Sequence, residues 1–160
     1  MARFKSESMS YMPAKLMLNY KRRDKMKNNC VFCAIAAGEI PSFKVFEDEN
    51  IFAFLDINPF SKGHVLVIPK EHSANLIETS YETLSSLMVA VKKVALGVKK
   101  ALGCAGFNVL QNNGEAAGQT VMHIHFHIVP RYSSGPIIFE NGKCEMSELE
   151  ELAAKIRSSI

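Results

Sequence analysis

Histidine occupies every second position of one short stretch. His123, His125 and His127 alternate with Ile124, Phe126 and Ile128 in "MHIHFHIV", and they are three of the five histidines in a chain of 160 residues. A neutral imidazole titrates near pH 6.5, so at pH 7 it can attack an electrophile, move a proton or bind a metal. In an extended strand the three rings share one face and the three apolar side chains share the other. The apolar face belongs to a core. The wet side of a half-buried strand ordinarily mixes Thr, Lys, Glu and Ser, so a line of imidazoles there points to chemistry rather than to solvent cover.

One ion cannot take all three rings. Residues i and i+4 of a strand lie roughly 13 Å apart, whereas a zinc–nitrogen bond is about 2.0–2.1 Å. The rings must divide their labour. Cys30 and Cys33 stand at C-x2-C spacing in "CVFC", and "PKEH" adds His72. A Cys2His2 zinc site needs one more histidine, and His123, at the strand's entrance, supplies it. Such a zinc has no open position, so its task is structural: it staples the N-terminal turn to the sheet. An unmetallated packing pair or a redox pair has the same cysteine spacing, although the thioredoxin-like context of a redox pair is missing.

His125 and His127 are then left for chemistry, with His64 as an accessory. No Ser-His-Asp arrangement stands out. Nor does an acid cluster for magnesium, and no magnesium requirement is expected. Histidine itself is the candidate nucleophile, and its natural electrophile is phosphorus. The loop "GEAAGQT" offers donors for a phosphate: backbone N–H groups around Gly118, the Gln119 amide and the Thr120 hydroxyl.

The elements that must position these residues are legible in outline. "VFCAIAAGEIP" reads as a short helix closed near Gly38 and stopped by Pro41. "FKVFED", "NIFAFLDI", "GHVLVIPK", "FNVLQNN" and "VMHIHFHIVP" read as strands. Thr79 and Glu82 have capping-box spacing before a long helix that Gly103 ends. Its apolar positions are Leu84, Leu87, Met88, Val91, Val94, Ala95, Val98, Ala101 and Leu102, which form one stripe. Ser147 and Glu150 suggest a second capping box before a short C-terminal helix. Strands in adjacent runs with helices set apart indicate an antiparallel sheet of class α+β.

Charge is unevenly distributed. Residues 1–29 carry eight Lys or Arg and two acids, a net +6, while the other 131 residues carry 11 basic and 14 acidic groups, a net −3. The folded body is therefore slightly acidic, which argues against a duplex nucleic-acid binder, whose footprint is a basic face. No apolar run approaches the roughly 20 residues of a membrane span. The chain divides into a basic extension, 1–29, and one domain, 30–160. The extension reads as a solvated tail, a transit segment or a docked arm. A cytoplasmic location is expected, or a mitochondrial or other organellar one if the extension is a transit peptide. Cys104 and Cys144 read as ordinary small side chains.

The run "HIHFHIV" matches the histidine-triad pattern, three histidines alternating with apolar residues and followed by a further apolar one. With "CVFCAIAAGEIPSFKVFEDENIFAFLDINPFSKGHVLVIPKEH" and "LQNNGEAAGQTVMHIHFHIVPR" it makes the chain resemble the histidine-triad (HIT) family over roughly residues 28–132. The likeness is to the Hint branch, the purine nucleoside phosphoramidate hydrolases, and to its zinc-bearing subset. The resemblance implies an α+β half-barrel of five antiparallel strands with one long helix and a short C-terminal helix. It also implies a homodimer joining two sheets, and a purine nucleoside monophosphate or its amide as ligand. His125 would attack the α-phosphorus, and water would resolve the nucleotidyl-histidine. His127 would sit at the phosphate and leaving-group side, with His64 supporting the relay. Asp56 would bind ribose, Phe32 and Ile57 would line the base pocket, and Asn112 would bind phosphate or ribose beside Gly118, Gln119 and Thr120. Cys30, Cys33, His72 and His123 match the zinc ligands. Read without the family, Asp56 and Asn112 are turn residues and Phe32 and Ile57 are core. Two other readings stand beside this one: cleavage of dinucleoside polyphosphates, as in the sister branch, and a regulatory nucleotide-binding scaffold.

Overall fold

The structure, a computed structural model, describes residues 30–136, 142 and 144–160; the basic extension lies outside the described residues, and so do the expectations made for it. The first element is a short helix, α1 (Val31–Ala36). Strands β1 (Lys44–Glu47), β2 (Ile51–Leu55) and β3 (Val65–Pro69) follow, and then the long helix α2 (Tyr81–Leu102). Strand β4 (Gly106–Leu110), a single 3-10 turn (Glu115–Ala117), strand β5 (Phe126–Arg131) and helix α3 (Met146–Arg157) complete the order. The five strands form one sheet in the order β1-β2-β3-β5-β4, and every pairing is antiparallel. The α+β class expected from the sequence is what the chain adopts.

Period-two alternation sorts the two faces of this sheet. Ile51, Ala53, Leu55, Val65, Val67, Phe126 and Ile128 point toward α2 and α3 and form the main core with Leu87, Val91, Val94, Val98, Leu149, Leu152 and Ile156. Phe52, Phe54, Leu66 and Ile68 point the other way and pack with Phe32, Ala34 and Ile35 of α1 and with Ile40. His127 is the cross-strand partner of Leu66, so the imidazoles of β5 belong to the α1 face.

Four local expectations are corrected. The cap of α2 is Ser80, whose hydroxyl accepts from Thr83 N–H, rather than Thr79. Thr79 is buried, and its hydroxyl is spent on Ser73 and the Asn75 carbonyl. Helix α3 starts at Met146 after Glu145, with no side-chain cap, so Ser147 lies inside it. Met88 is 48% exposed and leaves the buried stripe, while Ala90 joins it. The last strand begins at Phe126, not Val121. Its ladder with β3 ends at Val67, and the next residues of β3 lead to Pro69, which has no N–H to extend it. Gly103 ends α2 in the left-handed region (φ 63°), as expected. Among the described residues no helix is long and apolar enough to cross a membrane.

Candidate functional site: a buried histidine chain beside a Cys2His2 cluster

Where the β5 ladder stops, the chain carries His123, His125 and His127 along the α1 face, and the rings part company. His127 turns to His64, which precedes β3. The two are joined by His64 Nε2 and His127 Nδ1 at 3.0 Å, and both are buried. Phe60 N–H donates to His64 Nδ1 at 3.2 Å. That bond fixes the tautomers in sequence. His64 Nδ1 accepts, so His64 Nε2 carries the proton and donates to His127 Nδ1. His127 Nε2 then carries a proton too, and it is the one buried side-chain polar atom with no partner among the described residues. An unpaired buried donor costs about 1–3 kcal/mol. It marks where an acceptor should sit.

His125 is held differently. Its Nδ1 donates to the His123 carbonyl at 2.7 Å, so its Nε2 keeps a free lone pair. Its ring lies 4.8 Å from that of His127 and meets the Phe32 ring edge-on at 5.2 Å. The arrangement therefore places an unprotonated nitrogen and an unpartnered N–H on adjacent rings. A neutral imidazole pair of this kind can attack an electrophile with one ring while donating to it with the other.

Burial keeps the rings neutral. It holds His64 down to about 3, with the nearby His127 and His125 lowering it further. It holds His127 down to about 4, with His125 adding to the effect. It also lowers His125, against the pull of the His123 carbonyl. Asp56 lies at the rim. Its Oδ1 accepts from Asn58 N–H at 2.8 Å and its Oδ2 is 3.5 Å from His64 Nδ1. Burial raises the Asp56 carboxyl to about 6, and the Asn58 N–H only partly offsets this.

These shifts predict acid sensitivity. The unfolded chain protonates His64 and His127 near pH 6.5, whereas the folded chain does so only at about 3 and 4. Their share of the stability is complete above pH 6.5 and is lost as pH falls through that window. Asp56 acts oppositely, because its raised carboxyl gains a proton on folding below about 6. Two rings against one carboxyl leave a net loss of roughly 3 kcal/mol near pH 4.5, to which His123, held down to about 4, and the lowered His125 add in the metal-free chain. The melting temperature should fall by about 10 °C between pH 7 and 4.5; a flat profile would show that the rings are not held neutral.

The third ring belongs to a second cluster. His123 Nε2 donates to the Pro69 carbonyl at 2.9 Å, which turns Nδ1 toward Cys30 Sγ at 3.4 Å and Cys33 Sγ at 3.5 Å. His72 Nδ1 lies 3.3 Å from Cys33 Sγ. All four donor atoms lie within 4.8 Å of one another. In tetrahedral zinc, bonds of about 2.3 and 2.0–2.1 Å put neighbouring sulfur and nitrogen about 3.5 Å apart. The donors thus converge at close to metal-binding spacing. Burial and the adjacent Cys30 thiol push the Cys33 thiol up to about 12, the reverse of the low pKa of a redox cysteine. The Asp56, His64 and His127 donors also converge, but there the His64–His127 bond occupies two of the three.

The phosphate loop is less open than its composition suggested. Gly118 N–H donates to the Glu115 carbonyl and Gln119 N–H to the Gly114 carbonyl, both within the 3-10 turn. The Gln119 amide is buried and engaged at both ends. These expected phosphate donors are therefore spent on the fold, and the exposed Thr120 and His127 Nε2 are left. Asn112 is half-buried, and its amide approaches the Gly118 carbonyl at 3.5 Å. Phe32 is buried between Phe54, His123 and His125. Ile57 is only partly buried and packs against the main core, whereas Phe32 belongs to the α1 cluster. Phe60 was missed. It stacks on His64 at 5.0 Å and supplies the N–H that sets the tautomer chain, and only its place four residues before a histidine hinted at it.

A model of the HIT domain matches residues 37–134, which hold the triad, His64 and the loop at 114–120. The chain belongs to the HIT family. An adenosine 5'-monophosphoramidase, hnt1, of Schizosaccharomyces pombe is 52% identical over 103 residues, covering 64% of this HIT chain and 74% of the relative. The adenylylsulfatase HINT3 of Arabidopsis thaliana is 44% identical over 106 residues, 66% of this chain and 54% of its own. The crystal structure of a zinc-bound histidine triad family protein from Mycobacterium smegmatis superposes with a TM-score of 0.73 at 39% identity, covering 81% of this chain and 91% of that one.

Proposed function

We propose that the chain hydrolyses purine nucleoside 5'-phosphoramidates at the α-phosphorus, with His125 as the nucleophile. The observation that carries this reading is the unpartnered His127 Nε2–H beside the free lone pair of His125. A phosphate oxygen satisfies the first while its phosphorus faces the second. The phosphate's negative charge raises the proton affinity of the His64–His127 pair. In the first step a bond forms between His125 Nε2 and phosphorus, the phosphorus–nitrogen bond breaks, and the leaving amine takes a proton from the His64–His127 pair. In the second, water attacks the nucleotidyl-histidine, the pair recovers the proton, and the nucleoside monophosphate and free His125 are released. The His125 Nδ1–H bond to the His123 carbonyl stabilises the imidazolium between the steps. Asp56 accepts from the ribose, Phe32 and Ile57 bound the base, and Asn112 and Thr120 stand on the phosphate side.

The test is a panel of an adenosine phosphoramidate, its guanosine counterpart, adenylylsulfate and a diadenosine polyphosphate. Preference for the amides by kcat/KM supports the reading. Preference for the polyphosphate moves the chain to the sister activity, and binding without turnover of any leaves the scaffold reading. Adenylylsulfate belongs in the panel because the plant relative is an adenylylsulfatase.

Cys30, Cys33, His72 and His123 hold zinc in this proposal. Such an ion makes thiolates of the cysteines and ties α1 to the sheet, and it takes no part in the chemistry.

The chain is also proposed to be a homodimer. β4 is an edge strand, and Phe107 and Val109 on it are exposed. Val109 is the cross-strand partner of Ile128, so both lie on the helix side of the sheet. There α2 exposes Tyr81, Val89 and Leu96. An open apolar edge of this kind is a template for pairing, and a second copy covers it by continuing the sheet. Val109→Lys should convert the dimer to a monomer in light scattering without lowering the fraction folded; a wild-type chain that is monomeric at micromolar concentration would exclude the interface.

A further inference from the structure

Gln119 is 2% exposed and has no donor left for a ligand. Its Nε2 donates to the carbonyls of Ala74 (2.6 Å) and Val121 (3.0 Å), and its Oε1 accepts from Gly114 N–H (2.8 Å). It thus grips both ends of its own loop and fastens that loop to Ala74. The segment around Ala74 is tied in at two more points. Leu76 N–H donates to Asn113 Oδ1 at 2.9 Å, and the Ser73 carbonyl accepts from Ile124 N–H at 2.7 Å. One residue before Ser73 stands His72, which is exposed and meets the Cys33 sulfur and the His123 ring. The Cys2His2 cluster is therefore a further anchor for this end of the segment, beside the Ser73 bonds to Ile124 and Thr79.

We propose that Gln119 is a positioning residue that couples the metal site to the nucleotide site. Metal held through His72 fixes residues 73–76, and Gln119 passes that order to the loop facing the phosphate. The proposal rests on the zinc and nucleotide readings above. Because coupling of two binding sites is reciprocal, nucleotide must tighten metal by the factor by which metal tightens nucleotide. Typical couplings are about 5- to 150-fold, and about tenfold is expected here.

The experiment measures the zinc affinity of the full chain by competition with a chelator, with and without saturating AMP. In the wild type AMP should tighten zinc about tenfold. Gln119→Ala should still bind one zinc, yet AMP, raised until it saturates the variant, should change zinc affinity less than twofold. Asn113 is exposed, so Asn113→Ala folds whether or not Gln119→Ala does; it should reduce the coupling to a few-fold. Absence of coupling in the wild type overturns the proposal. So does coupling of equal size in the wild type and both variants, since that is what AMP would give if zinc loss merely unfolded the chain. A wild type that binds no AMP sinks the nucleotide reading itself, and this one with it, whereas tight AMP binding without coupling sinks the coupling alone.

Discussion

His125→Ala is expected to lower turnover of an adenosine phosphoramidate by at least about 10⁴-fold, while AMP affinity falls by less than about tenfold. Losing a nucleophile costs on that scale because no neighbouring group can take its place. In this site the obvious substitute is disqualified by its proton. His127 Nε2 carries a hydrogen, imposed through His64 by the Phe60 N–H, so its outward nitrogen has no lone pair to offer. His125 has the complementary tautomer because its Nδ1–H is spent on the His123 carbonyl. Binding survives because His127, Thr120 and Asp56 remain in place. Quenching the wild-type reaction and mapping the adenylyl group should place it on His125. A variant that turned over at the wild-type rate, or an adduct on another residue, would remove the covalent account. Since His125 is buried against Phe32, the melting temperature of the variant must be checked, so that a loss of folding is not read as a loss of chemistry.

The tautomer chain also shows what a sequence carries and what it withholds. Strand alternation was enough to separate Ile124, Phe126 and Ile128 from the histidines, and the structure puts those three in the main core. The i to i+4 distance was enough to argue that His123 and His127 serve different sites. Their partners are indeed different: Cys30 and Cys33 for one, His64 for the other. Cysteine spacing and the "PKEH" histidine were enough to assemble the four-donor cluster. Each of these rests on local periodicity or on residue types with few uses.

What stayed hidden depends on partners far along the chain. Thr79 looked like a cap, but a buried pairing with Ser73 and Asn75 takes its hydroxyl, and the cap passes to Ser80. Gln119 looked like a phosphate ligand because it lies in a glycine-bearing loop before the triad. Its amide is claimed by Ala74, 45 residues away. The early end of the β5 ladder follows from Pro69 in another strand, and it is this break that frees His123 to turn toward the cysteines. Composition cannot announce a hydrogen bond whose other half lies on a different element.

Stripping zinc is expected to release α1 without unfolding the domain. The main core contains no residue of α1. That helix has six residues, well below the roughly 12–15 at which an isolated helix becomes marginal. It docks through Phe32, Ala34 and Ile35, with Ile40 behind it. Burying three large side chains contributes roughly 5–9 kcal/mol before costs, and ordering about ten residues opposes it with roughly 10–20 kcal/mol. Four metal bonds in the proposed zinc site, worth about 10 kcal/mol or more in comparable sites, would make up the difference. Cys33→Ser, or exhaustive chelation of the wild type, should therefore raise amide exchange across residues 30–40 by at least about tenfold and leave the central part of α2 protected. If α1 keeps its protection in a chain shown to be metal-free, packing alone holds it and the stapling role is wrong. If α2 loses protection together with α1, the two cores melt as one, and the ion supports the whole fold rather than its first turn.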